Sequence, residues 1–209
     1  MPETESMRNH SMRETRRQSD GWTLMTRIVG GTAGGRRLTV PPGRDVRPTS
    51  DRAREALFGT LGTMLDLDDA RVLDLYAGSG AVGLEAVSRG AGHALLVEAD
   101  SRAAAAARAN AAALGLADRV QVVRDRVERV LATPPPEPYQ LVFADPPYPL
   151  PDADVARVLR SLAAGWLAAG AVVVVERSTR GTAPAWPPSL EPVRQRRYGE
   201  GTLWYGRRT

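Results

Sequence analysis

From residue 71 to residue 176 the chain alternates short β-branched apolar runs with longer alanine-rich or amphipathic stretches, and this alternation limits the fold more than any other feature. The apolar runs lie at residues 72–76, 94–98, 120–124, 140–144 and 171–176, with helical stretches near 81–88, 101–114, 127–131 and 153–162 between them. Strands joined through helices need crossovers, which are right-handed and place helices on both faces of a parallel sheet. The expected class is therefore α/β. Two regions break the alternation. Residues 193–198 and 202–205 flank "GEG" and read as a hairpin that adds antiparallel strands to one sheet edge. Near the start, "RIVGGTAGGRRLTVPPG" offers β-prone runs at 27–29 and 36–40 around a glycine-rich turn, which again suggests a hairpin. "TSDRAREALFGTLGTML" then spaces Ala53, Leu57, Leu61 and Leu65 four residues apart behind Thr49, Ser50 or Asp51 as a helix N-cap. Residues 1–24 have little apolar content and balanced charge, so disorder is expected there.

Composition excludes several chemistries. The chain has no cysteine, which removes disulfides, thiolate metal sites and a cysteine nucleophile, and only two histidines, so no metal is expected. No uncharged run approaches the roughly 20 apolar residues of a membrane span, and the N-terminus lacks an apolar signal core, so a cytoplasmic location is expected. Charge is segregated. Residues 61–176 carry ten arginines against fifteen acids, whereas 27–60 carry seven against three and 177–209 seven against two. Two basic flanks beside an acidic centre suit a polyanion, whose condensed counterions are released on binding. That every one of the 28 basic residues is Arg matches GC-rich codon usage and is given no further weight.

The chemistry concentrates in two short motifs. "VLDLYAGSGAVGLEA" places Gly78, Gly80 and Gly83 between a strand and a helix, with Glu98 ending the next strand. That pattern fits a dinucleotide loop. Asp74, however, lies within the strand just before the glycines, where a carboxylate would repel a pyrophosphate and attract a cation. S-adenosylmethionine, with its ammonium and sulfonium, is such a cation. Glycines at 78 and 80 let the backbone approach its methionine part, because they carry no Cβ. Glu98 suits the vicinal hydroxyls of a ribose. Asp125, after the third strand, suits an adenine amine or a helix N-cap.

The second motif is "LVFADPPYPL", in which a buried strand ends on Asp145, Pro146, Pro147 and Tyr148. The exocyclic amine of a nucleobase is a poor nucleophile because its lone pair is delocalised into the ring. To attack a methyl group it must be held with its N–H bonds accepted from the side. Asp145 supplies one acceptor and the Pro146 carbonyl another, the two prolines stiffen the turn, and Tyr148 can stack on the base.

The order "DLYAGSG", "VEAD", "RD" and "DPPY" resembles the Rossmann-like class I S-adenosylmethionine-dependent amino-methyltransferases. Together with "RIVGGTAGGRRL", "RPTSDRAREALF" and "RYGEGTLWY" it is similar to the bacterial 16S ribosomal RNA guanine-N2 methyltransferases of the RsmD type. The likeness runs from Arg27 onward. It implies a mostly parallel seven-stranded sheet covered by helices on both faces, plus a small N-terminal hairpin and helix. It also implies transfer to guanine 966, in standard ribosomal RNA numbering, on a small-subunit assembly intermediate. On this reading 1–24 is an extension, 25–65 an RNA-binding appendage and 66–209 the methyltransferase domain, acting as a monomer. Asp74, Gly78 and Gly80 would border the methionine part of the cofactor, with Tyr76 also in the cofactor site. Glu98 would meet the ribose, Asp125 with Arg126 the adenine, and Asp145, Pro146, Pro147 and Tyr148 the target guanine. Arg27, Arg36, Arg37, Arg47, Arg52 and Arg54 are the candidates for the RNA backbone, about half of them expected to be solvated or paired with Asp51 and Glu55. An adenine-N6 nucleic acid methyltransferase shares the clamp, as does a protein glutamine methyltransferase, which normally has Asn where Asp145 stands. A dehydrogenase would explain the glycines alone. An RNA-binding assembly factor with minor catalysis is the reading from a different class.

Overall fold

The computed structural model describes residues 26–41 and 51–209. The extension 1–24, Arg47 and the capping positions Thr49 and Ser50 lie outside the described residues. In chain order the elements are β1 (Thr26–Arg27), β2 (Arg37–Leu38), α1 (Asp51–Leu61), β3 (Arg71–Leu75), α2 (Ala81–Ser88), β4 (His93–Val97) and α3 (Ser101–Leu114). They continue as β5 (Val120–Val123), α4 (Val127–Val130), β6 (Tyr139–Ala144), α5 (Asp152–Ala163), β7 (Leu167–Ser178), β8 (Leu190–Tyr198) and β9 (Gly201–Arg208).

Seven strands form one sheet in the order β5-β4-β3-β6-β7-β9-β8. The five from β5 to β7 are parallel, and β9 runs antiparallel to both β7 and β8. The expected mostly parallel sheet with an antiparallel hairpin at one edge is thus present. The chain moves outward from β3 to β5 and then returns to the other side of β3 as β6. That reversal opens a crevice at the carboxyl ends of β3 and β6, where open α/β sheets bind ligands.

Burial follows the period of two that strands impose. Val72, Leu96, Leu141, Phe143, Val172 and Val174 face one layer, shared with α1, α2, α3 and the N-terminal hairpin. Leu73, Leu75, Leu95, Val142, Val173 and Val175 face the other, against α4 and α5. Both faces being covered is why these strands read as continuous apolar runs. The helix ends follow local chemistry. Asp100 caps α3 by accepting from the Arg102 and Ala103 amides, and Gly115 closes it in a left-handed conformation.

The N-terminal hairpin is tied to the sheet by a buried ionic network. Glu85, fully buried on α2, accepts from the Val29 and Gly30 amides at 2.7 and 2.8 Å and from Arg89 Nε at 2.7 Å. Arg54, also fully buried, places Nε 4.0 Å from Glu85 and donates to Thr26 Oγ1, the Arg27 carbonyl and Asp51. Ile28, Leu38, Leu57, Phe58 and Leu61 share an apolar cluster with the sheet.

Three sequence expectations shift. Asp51 is the first residue of α1, and its carboxylate is taken by Thr26, Arg27 and Arg54. The helix ends at Leu61, leaving Leu65 in the turn beyond it. The strand expected at 171–176 extends over Leu167–Ser178, because Leu167 pairs with Tyr139 across an irregular step in the register.

Candidate active site

A cavity of about 1050 Å³ opens at the carboxyl ends of β3, β4, β6 and β7. Its floor is the glycine loop after β3. Gly78 has φ 56°, and a Cβ added there would meet nothing within 4 Å, so its bare face looks into open space. Gly80, at φ 82°, is packed the other way: a Cβ would lie 2.6 Å from Leu96 Cδ2. One glycine therefore leaves room for a ligand and the other lets α2 settle on the sheet. Between them and the strand, Tyr76 holds φ 61°, which few residues other than glycine adopt. This turns its ring onto the α4–α5 side, while Asp74 stays on the opposite face. The Tyr76 hydroxyl is buried with no hydrogen-bond partner among the described residues.

Carboxylates line this cavity. Asp74 is buried and accepts from the Gly83 amide at 2.9 Å. Burial pushes its carboxyl up to about 7, against that hydrogen bond and with a further push from Glu98. Asp145 is held well above the usual carboxylate range by burial, then by the charges of Glu176 and Asp74, with Arg177 opposing. Glu98 accepts from the Gly78 amide and the Asp100 amide, both at 2.8 Å, so it also fastens the glycine loop to the end of β4. A cavity lined by crowded carboxylates favours a cationic ligand.

A pH dependence follows from Asp74. Its folded value of about 7 stands above the model-peptide value of 3.8, so between the two the folded chain binds the proton and the unfolded chain does not. Stability falls as pH rises through that window, by on the order of a few kcal/mol, and for this group is constant above it. Calorimetry of the ligand-free protein should show the melting temperature dropping between pH 5 and pH 7.5. A bound cation should reduce the drop, since it favours the ionised form. An equal drop with and without that ligand would remove Asp74 from the cation site.

The DPPY loop follows β6 into the same cavity. The Asp145 amide donates to the Leu75 carbonyl, and the Leu150 amide returns to the Pro147 carbonyl at 2.8 Å, closing the turn. Arg177, almost entirely buried on β7, donates to the Leu150 carbonyl and to Asp152 Oδ1, both at 2.9 Å. Thr182 holds the other oxygen of Asp152. The loop is thus stiffened by its prolines and pinned from behind, while Tyr148 is 49% exposed at the rim.

Of the sequence candidates, Asp74, Tyr76, Gly78, Glu98, Arg126, Asp145, Pro146, Pro147 and Tyr148 all line this one cavity. Gly80 sits behind the loop. Asp125 does not line the cavity: its carboxylate turns to the Arg126 amide and to Arg129. Nor does it cap α4, whose N-cap is Arg126. Arg54 is a correction. It is fully buried in the ionic network beneath the hairpin and has no surface to offer an RNA backbone. Arg36 is exposed, but its guanidinium closes α3 by donating to the Ala113 and Leu114 carbonyls. Arg27 is exposed and paired with Asp51, and Arg37 and Arg52 are exposed.

Sequence reasoning missed the wall built by β7 and the β8–β9 turn: Glu176, Tyr198, Glu200, Gly201 and Leu203. Glu176 carried the cue that had identified Glu98, an acid closing an apolar run. Leading to Tyr198, β8 presents Arg194, Arg196 and Arg197, all exposed. Among the described residues no group of His, Cys, Asp and Glu could hold a metal ion, and no helix is long and apolar enough to cross a membrane.

Residues 26–207 match the family described as conserved hypothetical protein 95. Ribosomal RNA small subunit methyltransferase D of Escherichia coli strain K12 is 37% identical over 176 residues, covering 83% of this chain and 85% of that protein. The solved structure of yhhF from Escherichia coli is 34% identical with a TM-score of 0.78, covering 88% of this chain and 98% of that one. An RNA methyltransferase from Salinibacter ruber, solved in complex with S-adenosyl-L-homocysteine, shares the fold with a TM-score of 0.58 at 20% identity. It covers 77% of this chain and 92% of that one.

Proposed function

Because the chain belongs to the conserved hypothetical protein 95 family, we propose that this S-adenosylmethionine-dependent ribosomal RNA methyltransferase modifies the exocyclic N2 amine of a guanine in 16S ribosomal RNA. Guanine 966 in standard numbering, within the small subunit or an assembly intermediate, is the proposed target. The observation that carries the reading is that the open face of Gly78 and the DPPY loop border one cavity.

The residues fit the cofactor. Asp74 offers charge to a cation, Gly78 leaves the space that a Cβ would fill, and Glu98 keeps acceptor capacity beside the loop for a ribose. Tyr76 and Arg126 complete that wall, and Asp125 acts through Arg126, whose amide it accepts from. S-adenosylmethionine supplies the electrophilic methyl group. Asp145 and the Pro146 carbonyl accept the N–H bonds of the amine, aim its lone pair and give the displaced proton a carboxylate to go to. Tyr148 stacks on the base at the rim. Catalysis then comes chiefly from orientation, which can contribute roughly 7–11 kcal/mol.

Residues 25–65 serve as an RNA-facing appendage in this reading. Arg27, Arg37 and Arg52 act there, and Arg194, Arg196 and Arg197 of β8 serve as a second basic surface on the way to the cavity. The protein works as a cytoplasmic monomer without a metal.

The test supplies tritiated methyl donor to small-subunit particles from a strain lacking the gene. The label should appear as N2-methylguanine at one position. Replacing Arg194, Arg196 and Arg197 together with Ala should weaken RNA binding and flatten its salt dependence, because fewer counterions are released. Label on adenine N6 or on protein would overturn the assignment, and an unchanged salt slope would remove β8 from the RNA surface.

A further inference from the structure

A guanine held by its N2 amine presents a second donor, N1–H, on the same edge. Among the four bases only guanine sets a ring N–H beside an exocyclic amine, because adenine N1 and cytosine N3 carry a lone pair at the matching position. An enzyme that extrudes its target reads that edge directly.

The sheet register supplies a second carboxylate at the required place. β6 and β7 are parallel with Ala144 opposite Val175, so one step further Asp145 comes abreast of Glu176. Phe143 and Val174, two residues earlier, share a face, and by the same alternation Asp145 and Glu176 do too. Both line the cavity. On its other side Glu176 pairs with Leu203 of β9, and a Cβ at Gly201 would lie 2.6 Å from Glu176 Oε1. The carboxylate is therefore packed into the cavity wall by the β8–β9 turn, next to Asp145.

Resting on the guanine-N2 reading above, we infer that Glu176 accepts the N1–H of the target base while Asp145 and the Pro146 carbonyl hold its N2 amine, so that Glu176 is the residue that selects guanine. Adenine or cytosine in the same position would direct a lone pair at the carboxylate. The charge of Glu176 is also among the causes that hold Asp145 high. Two adjacent carboxylates facing two adjacent donors remove that conflict.

The experiment replaces the target guanine, in reconstituted small-subunit particles, with 2-aminopurine, which keeps the N2 amine but has a lone pair at N1. The wild-type enzyme should lose at least about 100-fold in kcat/KM, as sites built around a hydrogen bond do when the partner lacks it. A control base, 6-thioguanine, keeps N1–H and should be methylated. Glu176→Gln offers an amide N–H to the lone pair and should narrow the guanine to 2-aminopurine ratio by about tenfold or more. Calorimetric affinity for S-adenosylmethionine should be unchanged, which shows the variant folded. Wild-type enzyme that methylates 2-aminopurine as well as guanine overturns the inference without any variant. So does a folded Glu176→Gln protein with the wild-type ratio. Failure of the wild-type enzyme on guanine itself would instead bring down the guanine-N2 reading on which the inference stands.

Discussion

Asp145→Ala is expected to lower the single-turnover rate of guanine methylation by about 100- to 1,000-fold, the scale on which one preorganised polar group at a reacting atom contributes. Affinity for S-adenosylmethionine should stay within a few fold, since Asp145 stands on the DPPY side of the cavity and not on the glycine loop. Electrostatics make the variant informative. Asp145 is raised by burial and by the charges of Glu176 and Asp74, so its removal relieves repulsion, while buried Arg177, which acts the other way, keeps its pair with Asp152. Stability should hold or rise slightly, and lost activity cannot then be assigned to unfolding. Asp145→Asn keeps one acceptor oxygen and should fall between the two. A variant with a normal single-turnover rate and lost cofactor affinity would move Asp145 out of the amine clamp.

The fold was legible because the strands are buried on both faces. Ala94 to Val97, or Val172 to Val175, show as unbroken apolar runs since neither face meets water. The ends of α2 and α3 were legible because Gly80, Asp100 and Gly115 mark them locally. The extra length of β7 was not, since 168–170 carries no β signal and falls in the irregular step between the Leu167–Tyr139 and Val172–Leu141 pairs.

In the site, motifs reported what lies within a few residues, and distant partnership stayed hidden. Asp74 and Asp145 were found because each sits in a short stretch with its own chemistry. Arg54 was misread because its partner Glu85 is on another element, so nothing near it in sequence separates a buried arginine from a solvated one. Arg36 likewise meets the end of α3, far along the chain. Asp125 had the right type and place on a strand end, but the local turn directs its carboxylate to the Arg126 amide. Glu176 was visible by the strand-end rule and was passed over because no motif contains it.

Glu85→Ala should lower stability by about 3–5 kcal/mol, the usual cost of breaking a buried ion pair from one side. For a chain of this size that corresponds to a fall in Tm of roughly 6–20 °C. The substitution strands the Val29 and Gly30 amides and takes from buried Arg54 one of its carboxylate partners, with the Asp51 pair at 2.8 Å still in place. The two contributions can be separated. Adding Arg54→Met removes the buried charge, so whatever stability the double variant recovers measures the uncompensated guanidinium. The deficit that persists belongs to the two amides, at about 1–3 kcal/mol each when left unsatisfied, together with the lost Arg89 pair and the bonds Arg54 made to Thr26, Arg27 and Asp51. Denaturant midpoints at an unchanged m-value read both terms. Hydrogen exchange at Val29 and Gly30 then tells local from global effects. Faster exchange there, with α2 still protected, would mean that the hairpin undocks as a unit while the cofactor side of the fold persists. A Glu85→Ala protein that loses less than about 1 kcal/mol would show that the apolar contacts of Ile28, Leu38, Leu57 and Phe58 hold the hairpin alone, and that the buried network is not what fastens it.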